Sequence, residues 1–153
     1  MRRVPVTRPA TLEDLMAIEA QPAQRFSDPR QLLESKVAPE SLRAYLDKFS
    51  WALESEGQTV ACIGIVPLWP GVASCWGLFS DAALQHPATL FRFALDGLSE
   101  AESKLNLRRI ETTAPRSHVK AHRWLEHLGF QSEGIARAYG FDGSDHVHYA
   151  RVH

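Results

Sequence analysis

The sequence predicts one α/β (α+β) domain over residues 1–153, a mixed central sheet flanked by helices in the order βααβββαβαββ. Three observations lead there. With 153 residues, 44% of them hydrophobic and 23% charged, the chain has the size and composition of one globular domain whose core needs neither disulfides nor a structural metal. The apolar period changes from helical to strand-like near residue 51 and back near residue 87. A helix of roughly 18 residues then separates two strand-like runs, the length of a crossover between parallel neighbours. The strands near 73–80 and 108–114 are therefore expected side by side and parallel.

The elements follow in order. "VPVTRPA" reads as a short strand, and Thr11 with Asp14 three residues on forms a capping box, Asp replacing the usual Glu, for a helix carrying Leu12, Leu15 and Met16. Asp28 as cap and Pro29 at the first helical position start one short helix. "PESLRAYLDKF" starts another, with Leu42, Tyr45, Leu46 and Phe49 on one face. "WALES", "QTVACIGIVPL" and "ASCWGLFS" are strand-like runs separated by Glu56-Gly57 and Trp69-Pro70-Gly71, so three antiparallel strands are expected. From Pro87 to Leu105 the residues Phe91, Ala94, Leu95, Leu98, Ala101 and Leu105 mark a helix, and "RRIETTA" after it is β-branched and strand-like. A shorter helix covers Val119 to Leu128 and stops at Gly129. "QSEGIARAY" and "HVHYARV" close the chain as a strand pair around "FDGSD".

Composition narrows the function classes. No run approaches the roughly 18 apolar residues of a membrane span. The basic "MRRVPVTRP" is followed by no apolar segment, so no secretory signal is expected and the cytoplasm is the expected compartment. A net charge of −1 gives no strong nucleic-acid signal. Cys62 and Cys75 sit in apolar stretches and are expected to be buried thiols. "RSHVKAHRWLEHLGF" concentrates three histidines: His118 and His122 share a helical face at i, i+4, but His127 lies about half a turn away, so no metal site is expected. The four tryptophans are expected chiefly in the core, with an acyl or peptide pocket as the alternative.

The Leu-Gly-Phe end of that helix, taken with the order of elements, resembles the GCN5-related N-acetyltransferase (GNAT) superfamily, whose helix is commonly written N-x-x-A-x-x-x-Y-x-x-x-G-F. Gly129 and Ala121 match, while Leu125 stands at the tyrosine and His118 at the asparagine. The resemblance implies a sheet whose two parallel strands splay at one end, with acyl-CoA lying in the V. Its pantetheine would pair with the backbone of the fourth strand, at Leu78, Phe79 and Ser80. The family's glycine-rich pyrophosphate loop is replaced by "SDAALQHPATLFRF", which has no glycine. The amides of Ala88, Thr89 and Leu90 after Pro87, with His86 just before, would then have to meet the anion at the helix start, and acetyl-CoA binding would be weak. Arg92 and Arg116 are the expected phosphate partners, with plain surface exposure as the alternative.

"RPATLEDL", "CWGLFSD" and "SHVKAHRWLEHLGF" followed by "GFDGSDHVHYARV" further resemble the bacteriophage branch of this fold, which includes internal virion protein A of short-tailed coliphages. That resemblance implies a phage or prophage origin, the host cytoplasm or the virion as location, and phage virion proteins as partners. Within the family's chemistry a base takes a proton from the acceptor amine, and an acid protonates the leaving thiolate. Glu111 and Asp81 are the expected bases, or else ordinary strand-end carboxylates. His118 is the expected acid or cofactor contact, or else a helix N-cap. Two functions follow: an acyl-CoA-dependent N-acyltransferase with an altered site, acting on a small amine or a protein, or a non-catalytic virion or assembly protein.

Overall fold

The computed structural model describes residues 4–22, 46 and 49–153. Among these, seven strands form one mixed sheet: β1 (Val6–Pro9), β2 (Ser50–Ser55), β3 (Gln58–Trp69), β4 (Val72–Phe79), β5 (Arg109–Pro115), β6 (Gln131–Ala136) and β7 (His146–Val152). Their order across the sheet is β1-β2-β3-β4-β5-β7-β6. The helices are α1 (Leu12–Ala17), α2 (Pro87–Leu105) and α3 (Val119–His127). The two short helices expected between Asp28 and Phe49 lie outside the described residues, apart from Leu46 and Phe49 themselves. Every other expected element is present in its expected place.

The capping box at α1 forms as the sequence requires. Thr11 Oγ1 accepts from the Asp14 amide at 3.2 Å, and the Asp14 carboxylate accepts from the Thr11 amide at 2.9 Å. That carboxylate also takes both guanidinium ends of Arg8, at 2.6 and 2.7 Å, and the Thr59 hydroxyl at 2.6 Å. Helix α1 is thereby tied to β1 and β3. At Glu56 and Gly57 φ is +52° and +78°, the left-handed pair that a two-residue hairpin with native twist demands. Helix α2 opens on Pro87 and ends at Asn106, whose φ of +50° breaks the helical course.

Two cores lie on opposite faces of the sheet. Ile63, Ile65, Leu98, Ile110, Leu125 and Tyr149 belong to the larger, under α2 and α3. Leu15, Ile18, Ala52, Cys62 and Leu78 make the smaller, under α1. Arg151 ties the larger side together, reaching Glu102 of α2 at 3.1 Å and the Leu128 carbonyl after α3 at 2.6 Å. Cys62 is buried and Cys75 partly so, and neither forms a disulfide.

Candidate active site

Strands β4 and β5 are parallel neighbours, as the long helix between them predicts, but pair only over Val72–Ser74 against Arg109–Glu111. Beyond that seam β4 stays bonded to β3 as far as Phe79, and β5 to β7 as far as Pro115. The two half-sheets therefore diverge into a V. At its fork the Thr112 hydroxyl donates to the Cys75 carbonyl at 3.0 Å, replacing the missing ladder bond with a side-chain strut. Burial pushes the Cys75 thiol up to about 12, so it stays protonated and inert.

A cavity of about 490 Å³ occupies the V and crosses the sheet. The two-residue period of the strands gives its two sides different chemistry. Toward α2 and α3 it is apolar, lined by Leu90, Ala94, Leu98, Trp124, Leu125 and Leu128. Trp124 stands at edge-on contact with Phe79 of β4 and Phe91 of α2, centroids 5.8 and 6.1 Å apart, bridging both walls. The opposite side carries Ser74, Trp76, Glu111, Thr113, His146 and His148. Trp76 lies against Gly64 on β3, where a Cβ would meet its ring at 2.4 Å, so only glycine admits the indole.

Glu111 lies on this polar side. Its Oε2 accepts from Arg109 Nε and Nη2 at 3.1 and 3.0 Å and stands 3.6 Å from His148 Nε2. Arg109 in turn holds Glu133 of β6 at 3.0 Å. His118 lines the cavity at the start of α3, and its side chain makes no capping hydrogen bond. Burial, His122 and Lys120 together hold its imidazole below the ordinary range, so at neutral pH it is uncharged. Its neighbour His122 is fully engaged, with Nε2 2.9 Å from the Arg116 carbonyl and Nδ1 2.8 Å from the Tyr149 hydroxyl. No group of three or more His, Cys, Asp or Glu among the described residues could hold a metal ion.

Several expected site residues fall elsewhere. Asp81 opens a 3-10 turn, Asp81–Gln85, is exposed, and faces a separate depression beside α1, so the structure does not bring it to the cavity. Leu78 and Ser80 have the wrong parity. The Ser80 amide and hydroxyl both donate to the Val60 carbonyl, at 2.9 and 3.1 Å, and the Leu78 side chain is buried under α1. Even-numbered residues of β4 thus turn their backbone groups to β3, and the odd ones turn toward the V. Phe79 faces the V, but its carbonyl already accepts from the Gln21 amide at 2.9 Å. The Leu90 amide is also spent, donating to the His86 carbonyl at 2.8 Å as the first full turn of α2; the start of α2 keeps only the amides of Ala88 and Thr89. Arg92 pairs with Asp96 at 4.0 Å and Arg116 with Asp145 at 3.7 Å; both are mostly exposed and neither lines the cavity.

Sequence reasoning missed Thr112, Thr113, His146, His148 and the Tyr149–His122 pair. His148 and Thr113 are opposite in the β5–β7 register, a long-range pairing that periodicity alone does not predict. The tryptophans divide: Trp76 and Trp124 line the cavity, Trp51 packs on the core beside Phe49, and Trp69 is exposed.

No protein-family model matches the sequence, and no curated protein matches it. Solved structures do match in three dimensions. Ard1 from Thermoplasma volcanium is 12% identical, covers 97% of each chain and has a TM-score of 0.74. An acetyltransferase (GNAT family) from Bacillus anthracis is 16% identical over 99% of this chain and 96% of its own, with a TM-score of 0.66. RimL, a ribosomal L7/L12 alpha-N-protein acetyltransferase in complex with coenzyme A, is 12% identical over 97% of this chain and 93% of its own, with a TM-score of 0.65. The chain therefore has the GNAT acyltransferase fold.

Proposed function

We propose that the protein is an acyl-CoA-dependent N-acyltransferase, transferring an acyl group such as acetyl from its CoA thioester to an amine. The observation that carries this reading is the cavity through the splayed sheet. One side is apolar and opens between α2 and α3; the other presents a carboxylate and an imidazole. Two substrates can meet there from opposite faces, which is what direct transfer requires.

In the reaction the amine nitrogen bonds to the thioester carbonyl carbon as the carbon–sulfur bond breaks, and the amine's proton passes to His148, with Glu111 beside it to stabilise the imidazolium. The sulfur leaves as thiolate, a far weaker base than an alkoxide, so a hydrogen bond from the neutral His118 ring suffices where the family's tyrosine is replaced by Leu125. His118 thus acts as donor rather than as full acid, because its depressed pKa leaves little imidazolium at neutral pH. The residues fit the thioester arm better than the pyrophosphate, for which the start of α2 offers the Ala88 and Thr89 amides.

Calorimetry with acetyl-CoA, followed by detection of free CoA thiol in the presence of a panel of amines and peptides, tests the reading. Binding with a dissociation constant weaker than about 1 μM, and thiol release dependent on His148 and Glu111, are expected. The narrower reading is a phage or prophage protein with an altered site, in the host cytoplasm or virion. A non-catalytic virion or assembly role is the alternative, supported by Leu125 and the glycine-free loop. Absence of any acyl-CoA binding or turnover would favour it.

A further inference from the structure

We propose that the connection between β6 and β7, residues 137–145, is a flap over the polar side of the cleft that acid opens, held shut by the neutral ring of His146. The flap would open in this way whatever the cleft binds. His146 is 1% exposed, and its Nε2 is buried with no hydrogen-bond partner. Its Nδ1 lies 3.3 Å from the Thr113 hydroxyl. That hydroxyl donates to a bare Nδ1 or accepts from a protonated one, so it serves either tautomer of the neutral ring. In both, Nε2 is left over, an omission that folded chains seldom make.

The flap closes over this nitrogen. Tyr139 lies against the imidazole, ring centroids 5.1 Å apart, and itself lines the cavity. At Gly140 a Cβ would stand 2.9 Å from Nε2, 2.5 Å from Ser144 Oγ and 2.9 Å from Asp142 Oδ1, so backbone rests directly on the ring's edge. Within the flap the Ala138 amide donates to Asp145 at 3.0 Å, the Gly140 amide to the Ser144 carbonyl at 2.9 Å, and the Gly143 amide to the Gly140 carbonyl at 2.8 Å. Arg116, just past β5, ties it to the sheet through Asp145, at 2.9 Å from its amide and 3.7 Å from its guanidinium. Tyr139 and Phe141 are 60% and 53% exposed, so little apolar area is lost when the flap lifts.

A proton on His146 upsets this arrangement. Both ring nitrogens then carry hydrogen, and the charged Nε2–H has no acceptor under a closed flap. β5 and β6 set Thr113, Pro115 and Ala136 against the ring, none of them charged. Along the same face of β7 comes His148, already beside Glu111 of β5. On the flap, Asp145 is engaged with Arg116 and with the Ala138 amide. Asp142 favours the imidazolium, but burial outweighs it and holds the ring below the ordinary range. Its Oδ1 is occupied by the Ser144 amide at 3.0 Å, so it reaches Nε2 only if the turn is remade. Whether water or Asp142 takes up the charge, Tyr139 leaves the cavity wall. The open flap binds the proton more readily than the closed one, and falling pH therefore favours opening.

The test follows amide hydrogen exchange of the full chain by NMR at pH 7.5 and pH 5.5, corrected for the intrinsic pH dependence of exchange. The amides of Ala138, Gly140, Gly143 and Ser144 should lose protection several-fold in acid, and at most about tenfold for each pH unit below about 6.5, the factor one proton supplies. They should also exchange faster than buried Ile110 at both pH values, the mark of local opening. Protection equal to that of Ile110, or unchanged by acid, would overturn the flap. His146→Gln keeps a hydrogen-bonding group beside Thr113 but does not titrate, so the acid response should vanish; the same response in that variant would assign it to another group. Should that variant not fold, Gly140→Ala decides: its methyl meets Nε2 and should leave these amides as weakly protected at pH 7.5 as the wild type is in acid. Protection like the wild type's at pH 7.5 would refute the close seat of the flap on His146.

Discussion

Removing the Asp14 carboxylate tests whether one buried anion organises the wall of the cleft. Asp14 is 5% exposed and accepts from Arg8, Thr11 and Thr59 at once. In Asp14→Ala the capping box goes, at about 1 kcal/mol. The Arg8 guanidinium loses its bidentate partner, for which breaking a buried pair costs about 3–5 kcal/mol. Arg8 is 35% exposed and retains Glu54 at 3.1 Å, so water and that carboxylate recover much of the second cost. A net loss of about 2.5 kcal/mol remains, which for a chain of this size corresponds to a fall in Tm of about 5–10 °C. The assay is thermal and urea unfolding followed by circular dichroism, with Asp14→Asn as the control that keeps an acceptor for the cap but loses the charge.

The sign with pH is fixed. Hydrogen bonds from Arg8, Thr59 and Thr11 hold the Asp14 carboxyl well below the usual carboxylate range. Its stabilisation is thus complete above about pH 4 and is lost as pH falls below that value. The gap between wild type and Asp14→Ala should narrow in acid. A loss below about 1 kcal/mol at pH 7, or a gap that widens in acid, would refute the reasoning. Because Gln21, just past α1, bonds the Phe79 carbonyl at the end of β4, a loosened α1 should also weaken acyl-CoA binding.

Other outcomes follow from the same geometry. Leu125→Tyr should give little or no gain in acetyl transfer and lower stability by about 1–3 kcal/mol, since the added hydroxyl is buried in an apolar wall; a large rate gain by thiol-release assay would show that the site lacks only its acid. Thr112→Val removes the strut to Cys75 and leaves that carbonyl unpartnered, a cost of about 1–2 kcal/mol by urea unfolding, with a larger effect on KM than on kcat. Burial holds His118 and His146 below the ordinary imidazole range, so the unfolded chain binds more protons on the acid side of about pH 6.5. Stability should therefore fall between pH 7 and pH 5, and less steeply in a His146→Gln variant; a pH-independent melting curve over that window would contradict this.

What the sequence disclosed was local or combinatorial. A 19-residue α2 between two strand runs leaves chain geometry little choice but a parallel crossover, and Thr11-Asp14 names its own helix start. The site was legible only where a residue's position along the chain also fixes its face. Glu111 and His118 line the cavity, and their places could be read because one follows the long helix and the other starts the next. Leu78 and Ser80 were misplaced by a single residue of register, which in a strand reverses every direction. Asp81 was misplaced because a 3-10 turn after Phe79 carries it off the strand. His148 and Thr112 went unseen because their roles depend on partners 37 positions away, as with Thr112 and Cys75, or on pairing across the sheet.

The three-residue seam between β4 and β5 bears on the order in which the chain acquires its structure. The seam joins residues 37 apart, such as Val72 and Arg109, and β5 meets β7 across separations from 31 residues at Pro115–His146 to 43 at Arg109–Val152, so both sides of the cleft depend on long-range pairing. The cleft is therefore complete only when these long-range pairings stand together. A molecule held there recognises only the finished protein, and so acts as a brake on unfolding whose strength grows with its concentration.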